Sequence, residues 1–270
     1  MTRSKRSGTH PARHTFPAVF LSLCAACTAK PIPVEIEFDA EWKGQVIRCA
    51  ERAFGLSDLR FFVSDPVLVD SDGGQHVLVL TPDARWQQGR IALLDLEDGT
   101  GGCANGTHAM NSSIRGTVTA ADFTGIRFTV GVPFDLNHQN PLLARPPLDD
   151  SAMHWHWRSG YKFLRVGVAD TGSRRWLHLG STACEGTVQN ISACRSPNRV
   201  TVDLPAFSPT ANRVLVDLSE LFGNAGSTAA VNTNCSSGPG ETSCAEFFEA
   251  LGLPFGELPG ASQRVFRVGE

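Results

Sequence analysis

Residues 153–157, Met-His-Trp-His-Trp, place three kinds of side chain with metal or redox chemistry in one short stretch. The whole chain has only eight His, five Trp and three Met, so these positions hold a large share of each. Imidazole and thioether groups are ligands that suit monovalent copper. Alternating imidazole and indole rings are poor material for an apolar core, and the pattern therefore indicates a chemical role.

The conformation of this stretch decides which side chains act together. In an extended chain the side chains alternate, so Met153, Trp155 and Trp157 would share one face. His154 and His156 would share the other face. One hypothesis is that Met153 faces a metal held by imidazoles from elsewhere, with the indoles as its wall. The alternative is metal binding by the His154 and His156 pair, and a helix or loop would change both arrangements.

Two distant histidines are the candidate partners of this stretch. His138 lies in GVPFDLNHQNP, and His178 lies in RWLHLGSTAC. Both flank strand-like runs and lie near Gly, Pro or Cys residues that restrict the backbone. A single His is more often a hydrogen-bonded structural residue than a ligand, so these positions gain weight only together with the Met/His/Trp stretch.

The elements that would position these residues are short strands. β-Branched or alternating runs recur between turns rich in Gly, Asp, Asn and Pro: PVEIEF, LRFFV, HVLVLT, GIRFTVGV, YKFLRVGV, RVTVDL, RVLVDL and RVFRV. The pattern predicts an all-β single domain over residues 31–270, an antiparallel β-sandwich or barrel-like fold. One short helix is predicted in SCAEFFEALG, with Ser243 as N-cap, Glu246 as its capping-box partner and Gly252 as the stop.

Residues 1–26 are typical of a secretory signal. Basic residues precede the apolar run FPAVFLSLCAA, which is too short to span a bilayer. The sequence LCAAC is similar to a bacterial lipoprotein box and predicts Cys27 as the lipidated residue. Cys24 stands where the box prefers Leu, so ordinary cleavage near Ala26 is the alternative. We expect a periplasmic protein. A lipid on Cys27 would be its attachment to the membrane.

Six cysteines follow the leader. An oxidising compartment and an even number predict three disulfides. The last four cysteines lie in two close pairs, so the predicted bridges are Cys49–Cys103, Cys184–Cys194 and Cys235–Cys244. A zinc or iron–sulfur site would need CxxC clusters, which the sequence after the leader lacks.

Charge and motifs exclude several classes of function. Without residues 1–26 the chain carries 20 Lys and Arg against 27 Asp and Glu, a net charge of about −7. No basic run follows the leader, so nucleic acid is not an expected partner. The acidic turns 70–74 and 95–102 do not match a calcium loop of the EF-hand type and are expected to be solvated. The chain has no GxSxG, HExxH, P-loop or dinucleotide fingerprint.

Four motifs, in order, resemble the MbnP-like family of metallo-mystery-pair four-Cys motif proteins. They are LLDLEDGTGGC, GVPFDLNHQNP, M-x-W-x-W-x-SGYKF and HLGSTAC, and the similarity runs from about residue 34 to about residue 220. The resemblance implies an exported copper-binding protein that is not itself an enzyme and is paired with a MauG-like dihaem cytochrome c peroxidase. It implies that this partner oxidises Trp155, the first Trp of WxW, to kynurenine, and that copper binding depends on the change. Trp157 is the second Trp.

Such an oxidation has a clear chemical purpose. An indole offers one N–H donor and no lone pair for a metal, whereas kynurenine carries an aryl amine and a ketone. The predicted site therefore contains His138, His178 and Met153 with oxidised Trp155, and its thioether favours Cu(I). His154 and His156 remain the alternative pair.

Two other classes of function stay open from the residues alone. One is a metalloenzyme with an open His/Met copper or zinc site. The other is a disulfide-linked β-domain for adhesion or assembly, in which the His/Trp cluster forms a binding patch. Within copper homeostasis, storage, delivery and sensing are equally compatible with the sequence.

Overall fold

The structure is a computed structural model that describes residues 30–49, 54–120, 122–170, 173–223 and 234–270, together with residues 1, 2 and 8. Apart from those three positions, the predicted signal segment lies outside the described residues, and so does Cys27. Cleavage and lipidation therefore stay predictions. No helix within the described ranges is both long enough and apolar enough to cross a membrane.

Strands make up nearly half of the described chain, and its α-helices are short. The strands are β1 (Ile32–Trp42), β2 (Gln45–Val46), β3 (Phe54–Asp70), β4 (Gln75–Val77), β5 (Val79–Leu80), β6 (Gln87–Gln88), β7 (Ile91–Asp95), β8 (Ser113–Val118), β9 (Phe123–Val130), β10 (His154–His156), β11 (Gly160–Asp170), β12 (Ser173–Gly180), β13 (Thr182–Thr187), β14 (Asn190–Ser196), β15 (Val200–Pro205), β16 (Arg213–Asp217) and β17 (Phe266–Gly269). The helices are α1 (Phe134–Asn137), α2 (Leu218–Phe222) and α3 (Ala245–Ala250), with 3₁₀ turns at Gly101–Cys103 and Thr242–Cys244.

Two sheets form the sandwich. In the six-stranded sheet, β1 pairs in parallel with β16 and antiparallel with β8. In the nine-stranded sheet, the long strand β3 pairs with β11 and β9 along one edge and with β7 and β4 along the other. Strand β11 continues to β12 and, at its start, to β10. The predicted antiparallel all-β sandwich is thus confirmed.

Aromatic side chains from both sheets meet in the main core. Phe38 and Phe266 come from the six-stranded sheet, and Phe61 and Phe128 come from the nine-stranded sheet. Their rings make edge-on contacts, with centroids 5.6–6.0 Å apart. All four side chains are buried, so apolar area removed from water holds the two sheets together.

A second apolar cluster covers part of the opposite, outer face of the nine-stranded sheet. Because side chains alternate along β3, Phe61 points into the main core while Phe62 points outward. We call this the outer cluster; its buried members are Phe62, Ile91, Leu93, Val132, Leu148, Met153, Tyr161 and Phe163. The loop that follows β9 and carries His138 and Met153 thus packs on the outer face, which positions the candidate site.

The predicted helix near the C-terminus is confirmed as α3, but its start differs from the capping box. Ser243 lies in the preceding 3₁₀ turn, and its hydroxyl donates to the carbonyl oxygen of Asn234 at 2.7 Å. The N-cap position is Cys244, with no side-chain cap. Gly252, at φ +70°, follows the helix as predicted, because a left-handed residue ends a helix at little cost for glycine.

All three predicted disulfides are present: Cys49–Cys103, Cys184–Cys194 and Cys235–Cys244. The first joins the two sheet regions across 54 residues, and the second bridges directly opposed residues of the β13–β14 hairpin. Loop closure of this kind stabilises the fold mainly by restricting the unfolded chain.

Candidate metal centre

The Met/His/Trp stretch forms a short edge strand beside the start of β11. His154 pairs with Tyr161 and His156 pairs with Gly160, with an irregularity between the two pairs. The extended conformation is therefore correct for the middle of the stretch. The indole of Trp155 extends from this strand and lies against Gly180 of β12.

Trp155 and His178 are brought together. The two rings meet edge to face with centroids 6.3 Å apart. A Cβ atom on Gly180 would lie 3.0 Å from the indole Cε3, so the bare glycine allows the ring to lie close against β12. On the same strand Trp176 stacks on His178 at 4.4 Å. His178 thus lies between two indoles, half-buried.

A segment that contains Cys235 and Ser237 is hydrogen-bonded to the backbone of His178 on β12. The backbone N–H of His178 donates to the carbonyl oxygen of Cys235 at 2.9 Å, and Ser237 Oγ donates to the carbonyl oxygen of His178 at 2.9 Å. The N–H of Cys235 donates to the carbonyl oxygen of Trp176 at 3.1 Å. The fully buried Cys235–Cys244 disulfide anchors this segment, and it therefore helps to hold the imidazole against Trp155.

A row of polar side chains crosses the outer face from His178. Cross-strand pairing places Arg165 beside His178, Arg60 beside Arg165 and Asp95 beside Arg60. We call His178, Arg165, Arg60 and Asp95 the polar row. Asp58 contacts both arginines of the row. Arg60 donates to both Asp58 oxygens at 3.0 and 2.8 Å, and the Arg165 Nε lies 2.8 Å from the Asp58 Oδ2.

The polar row lies largely out of water, which shifts its titration. Arg60 and Asp95 are each only 2% exposed. Burial, followed by the charge of the neighbouring Glu97 carboxylate, raises the pKa of Asp95 to about 7. The Glu97 carboxylate accepts hydrogen bonds from the backbone N–H groups of Gly99 and Thr107 at 3.0 and 2.8 Å. The acidic turn at 95–102 therefore closes over a buried arginine.

The same surroundings keep the His178 ring neutral. Burial, followed by the positive charges of Lys162, Arg165 and Arg60, lowers the pKa of His178 from 6.5 to about 4. A neutral imidazole has a free lone pair, which is the form that binds a metal. The nearby positive charges oppose a bound cation in proportion to its charge.

This pKa predicts a specific pH response. Between about pH 6.5 and about pH 4, the unfolded chain takes up a proton at His178 that the folded chain does not. The contribution of His178 to folding stability should therefore be lost as the pH falls through this window. We expect the imidazole NMR signals of His178 to stay constant from pH 7 to about pH 5. A titration centred near the ordinary His value would contradict the assignment, and a His178→Gln variant identifies the signals.

His138 lies at the other side of the β11 start, beside a disulfide. Its Nε2 is 3.4 Å from the Cys194 Sγ and 3.2 Å from the Asn137 Nδ2. The Asn137 amide is oriented by two other bonds, because its Oδ1 accepts from the N–H of Tyr161 and its Nδ2 donates to the carbonyl oxygen of Ser159. An N–H group of this amide therefore faces Nε2, and on that basis we assign the lone pair to Nε2 and the proton to Nδ1.

The His138 ring is also kept neutral by burial, which lowers its pKa. Its Nδ1 is buried and has no hydrogen-bond partner among the described residues. A buried polar atom without a hydrogen-bond partner is costly for the folded state. The ring of Phe134 packs against the His138 imidazole, with the two ring centroids 4.9 Å apart.

Met153 lies elsewhere in the arrangement. Its side chain is 0% exposed and belongs to the outer cluster, whose buried members are apolar or aromatic and include no imidazole. Its backbone carbonyl accepts from the N–H of Lys162 at 2.8 Å, which aligns the stretch with β11. These contacts indicate packing, and the metal role of Met153 stays a prediction.

A Met153→Leu variant tests the two roles. Because Leu matches Met in volume, we expect the free energy of unfolding to change by less than about 1.5 kcal/mol. Copper affinity should stay within about twofold if the thioether only packs. Met110→Leu, at a position 42% exposed, is the matched control. A large loss of Cu(I) affinity confined to Met153→Leu would show that the thioether is a ligand after all.

The alternative pair is more open than His138 and His178. His154 meets the ring of Tyr161 edge-on at 5.4 Å, and burial, with the charges of Lys162 and His156, lowers its pKa. His156 is exposed and lies 5.5 Å from the ring of Trp157. Within the described part of the chain, His154, His156 and His178 all lie outside any cluster of three or more His, Cys, Asp or Glu ligand atoms, whereas His138 lies in one with Cys184 and Cys194.

Sequence reasoning missed the polar row. Asp58 and Arg60 alternate with Leu and Phe in SDLRFF, and this alternation of charge within an apolar strand is the signal that could have revealed an outward polar face. The acidic turn 95–102 was expected to be solvated, whereas Asp95 and Glu97 are buried beside Arg60. That expectation was wrong for Asp95 and Glu97, because the Arg60 guanidinium from β3 lies beside both, whereas residues 98–102 are partly or fully exposed.

The chain is similar to known proteins of one family. A family model described as MbnP matches residues 31–237. Among solved structures, MbnP from Methylosinus trichosporium superposes with a TM-score of 0.73 at 28% sequence identity, covering 89% of this chain and 99% of that chain. A search of curated proteins finds no match.

Proposed function

Because the chain belongs to the MbnP family, we propose that it is a copper-binding protein of copper homeostasis, with a site completed by oxidation of Trp155. Membership of this family points to copper handling and to an accessory protein rather than a catalyst. The further details proposed are the modified residue, the ligands and the partner. The single observation that supports Trp155 as the modified residue and His178 as a ligand is the contact of Trp155 with a neutral, half-buried His178.

The donor groups fit a soft monovalent ion. His178 offers an unprotonated imidazole beside the Trp155 ring, and His138 offers a second through Nε2. We propose these two imidazoles and oxidised Trp155 as the ligands, with His154 and His156 as an auxiliary pair. The charges that face His178 are Lys162, Arg165 and Arg60. They would disfavour Cu²⁺ or Zn²⁺ more than Cu⁺, so the proposal favours Cu(I) even without a thioether.

The oxidation changes what residue 155 can donate. Two molecules of hydrogen peroxide would be reduced to water while the indole C2–C3 bond is cleaved and gains two oxygen atoms, which gives N-formylkynurenine. Hydrolysis then releases formate and leaves an aryl amine and a ketone. The ring nitrogen, formerly only an N–H donor, becomes an amine with a lone pair next to His178. An inert neighbour of the imidazole is thereby converted into a ligand.

The proposed partner is a MauG-like dihaem cytochrome c peroxidase that removes electrons from the indole. Trp155 is half-buried, and Trp157 and the exposed His156 lie next to it at the sheet edge. Arg158 lies over the Trp157 ring at 4.9 Å. The modified residue therefore lies close below a surface that a partner can approach.

Export is part of the same proposal. A signal segment over residues 1–26 would direct the chain to the periplasm, and lipidation of Cys27 would tether it to the membrane. The three disulfides support an oxidising compartment.

Co-production with the peroxidase tests the proposal. Protein made with the partner should carry one copper per chain, and peptide mass spectrometry should show kynurenine at Trp155. Protein made without it should retain Trp155 and bind copper weakly. Copper-loaded protein in which Trp155 is unmodified would remove the oxidation step. Turnover of a substrate that is lost in a Trp155→Phe variant would favour a metalloenzyme instead.

A further inference from the structure

The Cys184–Cys194 disulfide differs from the other two in its surroundings. Cys194 is partly exposed, whereas the cysteines of the other bridges are 0–7% exposed. The bridge joins opposed residues of the β13–β14 hairpin, whose flanking positions Glu185 and Ala193 are exposed. A reductant in solution can therefore reach this bridge before the others.

An imidazole with a free lone pair faces this bridge. His138 Nε2 lies 3.4 Å from the Cys194 Sγ, and the orientation of Asn137 leaves that nitrogen unprotonated. The ligand atoms of His138, Cys184 and Cys194 all lie within 4.8 Å of one another. Metal–sulfur bonds of about 2.3 Å and metal–nitrogen bonds of about 2.0 Å place neighbouring ligand atoms roughly 3.5 Å apart. The imidazole and sulfur already have this spacing.

We propose that reduction of Cys184–Cys194 creates a second, redox-gated metal site, in which two thiolates and the Nε2 of His138 bind Cu(I). A dithiol supplies two electrons and two protons: the protein S–S bond breaks, the dithiol becomes a disulfide, and the protein gains two thiols. Binding of Cu(I) then displaces two protons. Two thiolates and one imidazole form a soft donor set that suits Cu(I). In the oxidised state the sulfurs are tied to each other and the site is closed.

This inference goes beyond the proposed function and does not need kynurenine. His138 Nε2 cannot serve both ions at once, so reduction in matured protein would move this ligand from the Trp155 site to the thiolates. The test therefore uses full chain made without the peroxidase, in which Trp155 is unmodified. A failure here leaves the Trp155 site untouched, and a failure of the Trp155 site leaves this result untouched.

The experiment measures Cu(I) binding before and after mild reduction with a phosphine, which is removed under anaerobic conditions. Alkylation mapping should find Cys184 and Cys194 free and the other two bridges intact. We expect one additional Cu(I) per chain after reduction, with a thiolate-to-copper charge-transfer band. His138→Ala should weaken this site by at least about tenfold. His108→Ala, at an exposed position outside both proposed sites, should retain it.

The double variant Cys184→Ser, Cys194→Ser provides the matched control. The other two disulfides remain, and circular dichroism checks the fold. This variant should bind no additional Cu(I) after the same treatment. Two outcomes would overturn the proposal: no added copper although both thiols are mapped as free, or the same added copper in the Ser/Ser variant. Unchanged affinity in folded His138→Ala protein would overturn the three-ligand assignment.

Discussion

A Trp155→Phe variant made together with the peroxidase should lose at least about a hundredfold in copper affinity, because removal of a group that only orients a ligand already costs about 10–100-fold. Phe keeps an aromatic ring that can lie on Gly180 and meet His178 edge-on. It has no ring nitrogen, so oxidation cannot produce an amine ligand. The loss should appear in Cu(I) competition titrations, while the folded structure and thermal unfolding change little.

Two other indoles are the matched controls for this result. Trp157→Phe removes the second Trp of the motif, and Trp176→Phe shortens the ring that stacks on His178. Each should retain a kynurenine at residue 155 and copper affinity within about tenfold. Equal losses in all three variants would mean that the aromatic wall, and not the chemistry of Trp155, governs binding. Full affinity in Trp155→Phe would contradict the proposed ligand directly.

An Arg60→Met variant should lower the free energy of unfolding by about 3–5 kcal/mol, the usual cost of breaking a buried ion pair on one side. The guanidinium is 2% exposed, and it donates to both oxygens of Asp58 and lies 4.0 Å from Glu97. Its loss leaves Asp58, Asp95 and Glu97 buried beside an apolar side chain. Urea unfolding with the disulfides intact is the measurement.

Arg127→Met is the matched control, because it makes the same substitution at an ion pair on the surface of the same sheet. Arg127 pairs with Asp203 across two strands of the same sheet at 2.8 Å, but both side chains are nearly half exposed. Exposed ion pairs contribute at most about 1 kcal/mol, so this variant should unfold close to the wild type. If Arg60→Met were equally mild, the polar row would be better hydrated than its burial indicates, and the argument for a neutral His178 would weaken with it.

The sequence predicts much of the scaffold because its signals are local. The alternating runs, the turn residues and the close cysteine pairs each report on a few neighbouring residues, and the strands and all three bridges are confirmed. The four ordered motifs resemble one family, and the family model that matches residues 31–237 confirms that resemblance.

The remainder of the site depends on packing that one sequence does not show. Met153 is covered by the outer cluster because the loop after β9 folds back over Phe62, and no local pattern predicts that closure. The position of His138 against Cys194 arises from the hairpin that follows β12. The polar row needs the register of β3, β7, β11 and β12 at once. Cross-strand register is set by the whole sheet, so it becomes visible only in the structure.

The most direct measurement is anomalous X-ray diffraction at the copper absorption edge from crystals of copper-loaded, peroxidase-matured protein. We predict one strong anomalous peak within bonding distance of the His138 and His178 imidazoles and of a kynurenine at residue 155, on the outer face of the nine-stranded sheet. A single peak at His154 and His156, or a copper bound beside an intact Trp155 indole, would contradict it.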